Sequence, residues 1–486
     1  MHRWILFKIS ISYLSAIAVI TSPLLLFPLV SGAGFHDNQR VIEVFCVALS
    51  TFILVGLLFW NPSVRWLCHG HLICLLVLLF LLGFASSSFA YTSRYAFFEW
   101  ANLLLLIVMS GLIACEIGFG EGLFFDQILW LCELGCAAYI LLEIIIYLAL
   151  IAKGTQPPNE SFIFGFDNYR FFNHIQTITL PLLALLICRG CDSKQNIFAW
   201  AVTSIWWTLH FVTAGRGTFI GLLAGMFVTW FCLRKDALPW CRIMLWSALI
   251  GLGIYILFYV LVPLSLGLRP FGFLFSVVDR TMENPSSSRW VLWARAWELM
   301  LAHPWLGVGP LHFAHYGRDL QLGAHPHNWI LQIGSEWGIP ALLCLMAAIG
   351  LGLKRLLAVR QYLDPKDVKN HTTLAAWLTI GVAILVDGLV SGLIVMPTSQ
   401  LWIALYIGCA WGWTVSMTPA AQVTTVRLSM TMRVGGIVIL LASIYFLFNG
   451  LWPEILNLPA YEEQNLQKEL YPHPLLRPRI WAGGYF

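Results

Sequence analysis

The residues best suited to chemistry lie between His325 and Glu336, where a long polar segment gives way to an apolar one. Polar groups at such an edge are costly in a bilayer unless they face a cavity or one another, so they indicate a functional site. A neutral histidine accepts a proton near pH 7. His327 is the stronger candidate base, because Asn328 and the following helix would hold its position, whereas His325 would position a phosphate or cap the helix. Glu336 would orient a neighbouring side chain or pair with an arginine, and a satisfied buried carboxylate is the alternative.

Two further polar groups precede this stretch. Arg216 stands between Gly215 and Gly217. Glycine lets a phosphate approach closely and a guanidinium offers a planar fork for its oxygens, although an arginine anchoring a tight turn is the structural alternative. Interfacial snorkelling would explain one arginine at a helix end, but four polar groups within two turns favour a substrate-binding site. These four residues are Arg170, Asn173, His174 and Gln176.

Histidines and arginines accumulate in the segment before His325. The spacing of the histidine pairs suggests a metal, but no cysteine accompanies them and Asp319 is the one nearby carboxylate, so we predict neither a metal nor a cofactor. The pairs are His312 with His315 and His325 with His327. The arginines are Arg280, Arg289 and Arg295. Arginines beside an imidazole imply an anionic substrate and a proton transfer, and a lipid-linked pyrophosphate satisfies both requirements.

The composition predicts a chain that lies mostly in lipid. Of its 486 residues, 59% are hydrophobic and 11% are charged, against about 25% charged in soluble proteins. The predicted fold class is therefore an all-α, polytopic membrane bundle. The net charge of +4 gives no reason to expect nucleic acid as a partner. The 12 cysteines fall mostly in apolar runs, so they are expected to pack as small apolar residues rather than form disulfides.

Apolar runs predict about 12 to 14 transmembrane helices, since about 20 residues cross about 30 Å of hydrocarbon. The predicted spans are approximately 10–30, 41–60, 72–90, 97–115, 127–151, 174–188, 197–213, 218–233, 243–262, 329–353, 374–394, 400–417 and 434–452. Lysine and arginine in the short loops set the orientation. They place the N-terminus, with a retained first span, in the cytoplasm.

This orientation divides the chain into four parts. N-terminal helices occupy 1–262, a large loop on the outer side of the membrane occupies 263–328, C-terminal helices occupy 329–452 and a tail occupies 453–486. Loops longer than about 15 residues are usually functional. Within this one, tryptophans at helical spacing predict an amphipathic helix from Ser288 to Ala302 that lies on the membrane surface or folds over the bundle. The tail shows no recognisable chemistry.

These motifs together resemble the Wzy_C superfamily of bacterial O-antigen ligases, O-antigen polymerases and protein O-oligosaccharyltransferases. The O-antigen ligase signature is a histidine, a small amide or serine, nine residues, a glycine, two residues, and then a glycine, threonine or tyrosine. His327, Asn328 and Gly338 match this signature, whereas Ala341 departs from it at the last position. The resemblance covers roughly residues 160–345. Its other motifs are Arg216 in its glycine setting, Ser287-Ser288-Arg289-Trp290 with Trp297, Pro304 to Gly309, and Glu336.

The resemblance implies a metal-independent, inverting transfer of a glycan from undecaprenyl pyrophosphate to an acceptor hydroxyl on the periplasmic face. Arg216 and Arg289 would hold the pyrophosphate and stabilise its leaving charge, which is physically the larger contribution. His327 would activate the acceptor hydroxyl or assist its alignment.

The acceptor distinguishes the members of the superfamily. An O-antigen ligase acting on lipid A–core is favoured. The alternatives are a protein O-oligosaccharyltransferase, with a Ser or Thr acceptor, and an O-antigen polymerase. The sequence His325-Pro326-His327-Asn328 resembles the protein-glycosylating branch, and the departure at Ala341 leaves that branch open. A transporter of lipid-linked sugars is more distant, and Asp387 and Glu143 are the carboxylates within spans that would suit it.

Overall fold

The protein is built almost entirely from α-helices. The computed structural model describes residues 11–24, 29–61, 65–67, 70–120, 123–155, 163–190, 193–274, 282, 289–423, 425–467 and 477–486. The long helices of the N-terminal part are α1 (Ile11–Thr21), α2 (Phe35–Trp60), α3 (Gly70–Ser88), α4 (Ser93–Phe119), α5 (Leu123–Lys153), α6 (Tyr169–Cys188), α7 (Ser193–Thr213), α8 (Arg216–Leu233) and α9 (Leu238–Tyr255).

The chain then continues through a π-helical turn, Ile256–Leu261, into the rest of the protein. The remaining helices are α10 (Val262–Ser265), α11 (Arg289–Ala302), α12 (Phe313–Tyr316), α13 (Trp329–Trp337), α14 (Ile339–Ala358), α15 (Val368–Asp387), α16 (Pro397–Met417), α17 (Met430–Leu451) and α18 (Leu458–Gln467). Two strands of three residues each, β1 (Arg65–Leu67) and β2 (Thr425–Arg427), pair antiparallel.

Eight stretches of the described chain are helical, long and apolar enough to cross a membrane. One of them, Arg216–Ser265, contains both α8 and α9, which are separated by a 3-10 turn where Arg234 has a φ of +56°. The helices α7, α15 and α16 have 20 or 21 residues and are more polar, yet about 20 residues suffice in length. The predicted all-α, multi-pass fold is confirmed, and the number of spans stays a prediction.

Helix ends gather at two opposite ends of the bundle. At one end, Arg189 donates to Asp126 over 2.7 Å, Lys369 lies 3.5 Å from the same carboxylate, and β1 pairs with β2. At the other end, Arg94 pairs with Glu454. Arg189 and Lys369 therefore share one end of the bundle, while the candidate site residues at the opposite ends of α6 and α15 share the other.

The predicted single span over 329–353 is wrong, because the helix breaks at Gly338. This residue has a φ of +88°, and a side chain there would clash with the Trp305 carbonyl. The Pro304–Gly309 segment lies against the break and bonds to it: Ile339 N donates to Pro304 O over 2.8 Å and Val308 N to Ser335 O over 2.9 Å. The segment thus satisfies backbone groups that the broken helix leaves unpaired.

Helix α11 lies within the large loop, 263–328, and packs against α13. Its inner face buries Leu292, Ala296 and Met300, while Trp290 and Trp297 are 71% and 52% exposed. An exposed tryptophan face suits the headgroup level of a bilayer, and the position of this helix on the membrane surface stays a prediction. Arg280, Ser287 and Ser288, which belong to the predicted motifs, lie outside the described residues.

Candidate active site

Arg216 is the first residue of α8 and follows a tight backbone turn. Ala214 has a φ of +49°, and a Cβ on Gly215 would lie 2.6 Å from the Asn173 amide oxygen. On the other side, a Cβ on Gly217 would clash with an Asp387 carboxylate oxygen. The two glycines are therefore required by close packing around the turn. They also place Arg216 at a helix N-terminus, where the helix dipole favours an anion.

Asp387 holds this helix start in place from the end of α15. Its Oδ2 accepts from Thr177 over 2.7 Å and from Thr218 over 3.0 Å, and its Oδ1 is buried without a hydrogen bond among the described residues. The aspartate is 1% exposed. The predicted span 374–394 places Asp387 in the middle of a membrane helix. In the structure it is instead the last residue of its helix, beside Gly217.

Arg289 begins α11 and faces other cations. Burial, then the charges of Arg170 and Arg216, lowers the pKa of Arg289 to about 10, and Asp387 opposes the change. The electrostatic influence of these residues shows that they share one region of the structure. Arg170, Arg216 and Arg289 bring positive charge to this region, which an anionic ligand would stabilise.

His327 is held in an uncommon backbone conformation. Its φ is +54°, a left-handed value that costs about 1–3 kcal/mol in a residue other than glycine and persists only where the surroundings determine it. The amide of His327 donates to His325 Nδ1 over 3.3 Å, and the two rings have centroids 4.0 Å apart. Trp293 of α11 donates to Pro326 O over 2.9 Å. The helix α13 that follows is anchored where Trp329 N donates to Gly388 O over 3.0 Å.

The electrostatic surroundings keep the His327 ring neutral. Its removal from water, then the charges of Arg289 and Arg170, lowers its pKa well below the ordinary value. His174 and Arg477 act in the same direction. A neutral imidazole beside a cationic cluster can accept a proton, and a bound anion would raise its basicity. Burial, then His327 and Arg479, also lowers the pKa of His325 well below the ordinary value.

Asn328 and the polar residues of α6 contribute to the scaffold in the structure. Asn328 Oδ1 caps α13 by accepting from Ile330 N over 3.0 Å and Leu331 N over 3.1 Å. Asn173 Nδ2 donates to Gln176 Oε1 over 3.0 Å and to Thr213 over 2.6 Å. These contacts tie α6 to α7. Direct contacts from these three side chains to a substrate stay a prediction.

His174 and Arg170 are better placed to meet a ligand. His174 is 4% exposed and its Nδ1 has no hydrogen-bond partner among the described residues. Arg170 is exposed, and its guanidinium carbon lies 5.8 Å from the centre of the Tyr169 ring. Both contribute positive charge or polarity to the region of Arg289 and His327.

Glu336 pairs with an arginine from the tail. Arg479 Nη2 lies 3.0 Å and 3.1 Å from the two carboxylate oxygens, and Phe313 N donates to Oε1 over 3.1 Å. Both side chains are 1% exposed. Glu336 is thus both paired with an arginine and satisfied as a buried carboxylate, so the two sequence-based interpretations describe one arrangement, and a direct contact with substrate stays a prediction. The partner is unexpected, because the tail was predicted to carry no recognisable chemistry.

Sequence reasoning missed the roles of Asp387, Thr177, Thr218 and Arg479. Each lies far along the chain from its partner, so local spacing carries no signal for the contact. The histidine pairs do not assemble a metal site in the described part of the chain: no group of three or more His, Cys, Asp or Glu side chains is arranged to hold an ion there. His312 instead accepts from Thr92 N over 2.9 Å and contacts Pro310 O over 2.8 Å.

Comparison with known families supports the resemblance. Residues 201–346 match the model of the Wzy_C family, described as O-antigen ligase. The matched region contains Arg216, Arg289, His327 and Glu336. No curated protein matches the chain.

Proposed function

Because the chain carries a Wzy_C, O-antigen ligase, region at residues 201–346, we propose that it is a membrane glycosyltransferase. It moves a glycan from undecaprenyl pyrophosphate to an acceptor hydroxyl at the periplasmic face of the bacterial inner membrane. The observation that carries this proposal is the cationic cluster of Arg216, Arg289 and Arg170, because a pyrophosphate leaving group develops negative charge that fixed cations stabilise.

The residues support a single, inverting displacement. The acceptor oxygen attacks the anomeric carbon, the bond from that carbon to the phosphate oxygen breaks, and the electron pair leaves with the pyrophosphate. Arg216 and Arg289 bind the departing anion, and the helix dipole of α8 adds to their field. His327 takes the acceptor proton or aligns the hydroxyl. The chain's own cations supply the charge stabilisation, so the reaction is proposed to need no metal.

Lipid A–core is the proposed acceptor, which makes the protein an O-antigen ligase. The departure from the ligase signature at Ala341 carries little weight against this assignment, because Ala341 is 0% exposed within α14. A small residue at that position is explained by helix packing. A Ser or Thr acceptor, or a second lipid-linked repeat, remains the alternative within the superfamily.

A transporter of lipid-linked sugars is less well supported. Glu143 accepts from Phe164 N over 2.9 Å, where the chain between α5 and α6 inserts into the bundle. Asp387 binds two threonines at a helix end. Both carboxylates thus have local structural partners, whereas transporters place their ionisable groups on broken helices at the midplane.

The test is the lipopolysaccharide ladder of a deletion strain complemented with this chain or with Arg289→Gln. Loss of a ligase leaves core alone, with the glycan retained on its carrier lipid. Core bearing a single repeat indicates a polymerase, and an intact ladder with an unglycosylated protein indicates a protein O-oligosaccharyltransferase. A fully normal ladder and unchanged glycoproteins would contradict the proposed enzyme.

A further inference from the structure

Residues 477–486, here the tail loop, fold into the site end of the bundle. Arg477 N donates to Ala482 O over 2.9 Å, which closes the loop. Arg479, Ile480 and Trp481 are 2%, 4% and 2% exposed. Burial this complete of a charged residue and a tryptophan shows that the tail loop is part of the protein interior.

Helix α2 fixes the backbone of the tail loop. Arg40 Nη2 donates to Arg479 O over 3.0 Å, and Ala482 N donates to Asp37 Oδ1 over 2.7 Å. Arg40 is itself held, since its Nη1 donates to Gln400 Oε1 over 2.8 Å and it pairs with Glu43. The loop is therefore anchored to a buried polar network of α2 and α16.

From this anchor, Arg479 reaches α13 and binds Glu336. Helix α13 has nine residues, and its N-cap Asn328 is the neighbour of His327. A short helix moves as a unit because its backbone hydrogen bonds are continuous. The Arg479–Glu336 pair at the C-terminal end therefore restrains the helix that begins beside the candidate base.

The tail loop also contacts the segment that leads into His325 and His327. Arg477 Nη2 donates to Gln321 O over 3.1 Å. Tyr485 packs with Ala324, the residue before His325, and is 2% exposed. Both sides of His327 in sequence, 321–324 and 329–337, are thus held by the same loop.

We infer that the tail loop is a positioning element for His327 and that Arg479 is a positioning residue. The inference rests on the proposed function. The left-handed backbone conformation of His327 explains why a positioning element is needed, because such a conformation relaxes unless its neighbours hold it. Displacement of a reacting group by about 1 Å can lower a rate by about 100-fold.

The first test is steady-state transfer by full-length Arg479→Gln in lipid nanodiscs, with a lipid-linked pyrophosphate glycan as donor. We expect kcat to fall by about 10- to 100-fold while the donor KM stays nearly constant, since Arg216 and Arg289 are untouched. The double variant Arg479→Gln with Glu336→Gln should recover part of the lost kcat, because two amides can pair without a buried charge. The matched control is Arg94→Gln, whose partner Glu454 also belongs to the tail.

Arg477→Gln provides a second test that does not disturb the buried ion pair. Removing this positive charge should raise the His327 pKa and move the acid limb of the pH–rate profile to higher pH. If neither variant changes kcat or the pH profile while the unmodified chain transfers glycan, the inference is overturned and the proposed function stands. Absence of transfer by the unmodified chain with every acceptor would instead overturn the proposed function.

Discussion

Arg289→Gln should abolish most glycan transfer, and the structure sets the size of the effect. Lowering the Arg289 pKa from the ordinary value of about 12.5 to about 10 corresponds to about 3 kcal/mol. Burial accounts for the largest part, and repulsion by Arg170 and Arg216 follows. A bound pyrophosphate offsets both costs by supplying counter-charge. Losing that interaction in the transition state should reduce kcat/KM by about 100-fold.

Arg289→Gln should not lower the stability of the protein, although it should lower its activity. The arginines repel one another when no anion lies between them, so replacing Arg289 by glutamine should leave the melting temperature unchanged or raise it. A loss of transfer with retained stability separates a substrate-binding arginine from one that anchors the fold. Arg289→Lys keeps the charge but loses the planar fork, so its kcat/KM should lie between those of the unmodified protein and Arg289→Gln.

The assay is transfer of a labelled glycan from its pyrophosphate carrier in nanodiscs, followed with purified lipid A–core as acceptor. Arg295→Gln is the matched control, because it lies on the same helix and pairs with Asp319 at 2.9 Å outside the cluster. We expect Arg216→Ala and Arg289→Ala to reduce transfer at least as much as His327→Ala. Near-normal transfer by both arginine variants, with none by His327→Ala, would refute the assignment of roles.

Three further predictions address the scaffold and the chemistry. Gly217→Ala should lower transfer by about 10-fold or more, since the new Cβ would clash with Asp387 and displace Arg216. The control Gly253→Ala should not lower transfer, because nothing lies within 4 Å of its Cβ. Equal transfer rates of the two variants in nanodiscs would argue against a role for the turn at Gly217. The His327 pKa lies well below its ordinary value, so His327 stays neutral as the pH falls through about 6.5. The acid limb of the kcat/KM profile should therefore begin below about pH 6.5. An acid limb centred at or above that pH would contradict a depressed His327 pKa. Transfer should be unchanged after dialysis against EDTA, and recovery of lost activity by added divalent metal would contradict the proposed metal-independent reaction.

Much of the fold was predictable because membrane spans leave a strong local signal. The helices begin and end within a few residues of most predicted spans, as with α3 at Gly70–Ser88 against 72–90. The break at Gly338 was not predicted, because an apolar run reads the same whether one helix or two pass through it. Its cause is the non-local approach of Trp305, which hydropathy cannot register.

The candidate site also contains residues that the sequence indicates and residues that it does not. Arg216, Arg289 and His327 were found because their residue types and local settings are unusual. Asp387 was assigned to the middle of a span, since its position depends on where α15 ends. Arg479 was missed altogether, because its partner Glu336 lies 143 residues away along the chain.

The candidate reacting groups and some of the residues that hold them lie in different parts of the chain. The candidate reacting groups, Arg216, Arg289 and His327, fall within the matched region 201–346, whereas Asp387 and Arg479, which hold their surroundings in place, fall outside it. The matched region therefore contains these candidate reacting groups but lacks the contacts that Asp387 and Arg479 supply. Exchanging 201–346 for the corresponding region of another Wzy_C protein should give an inactive chimera unless partners for Gly217 and Glu336 are exchanged with it, because each would then face a neighbour it does not fit.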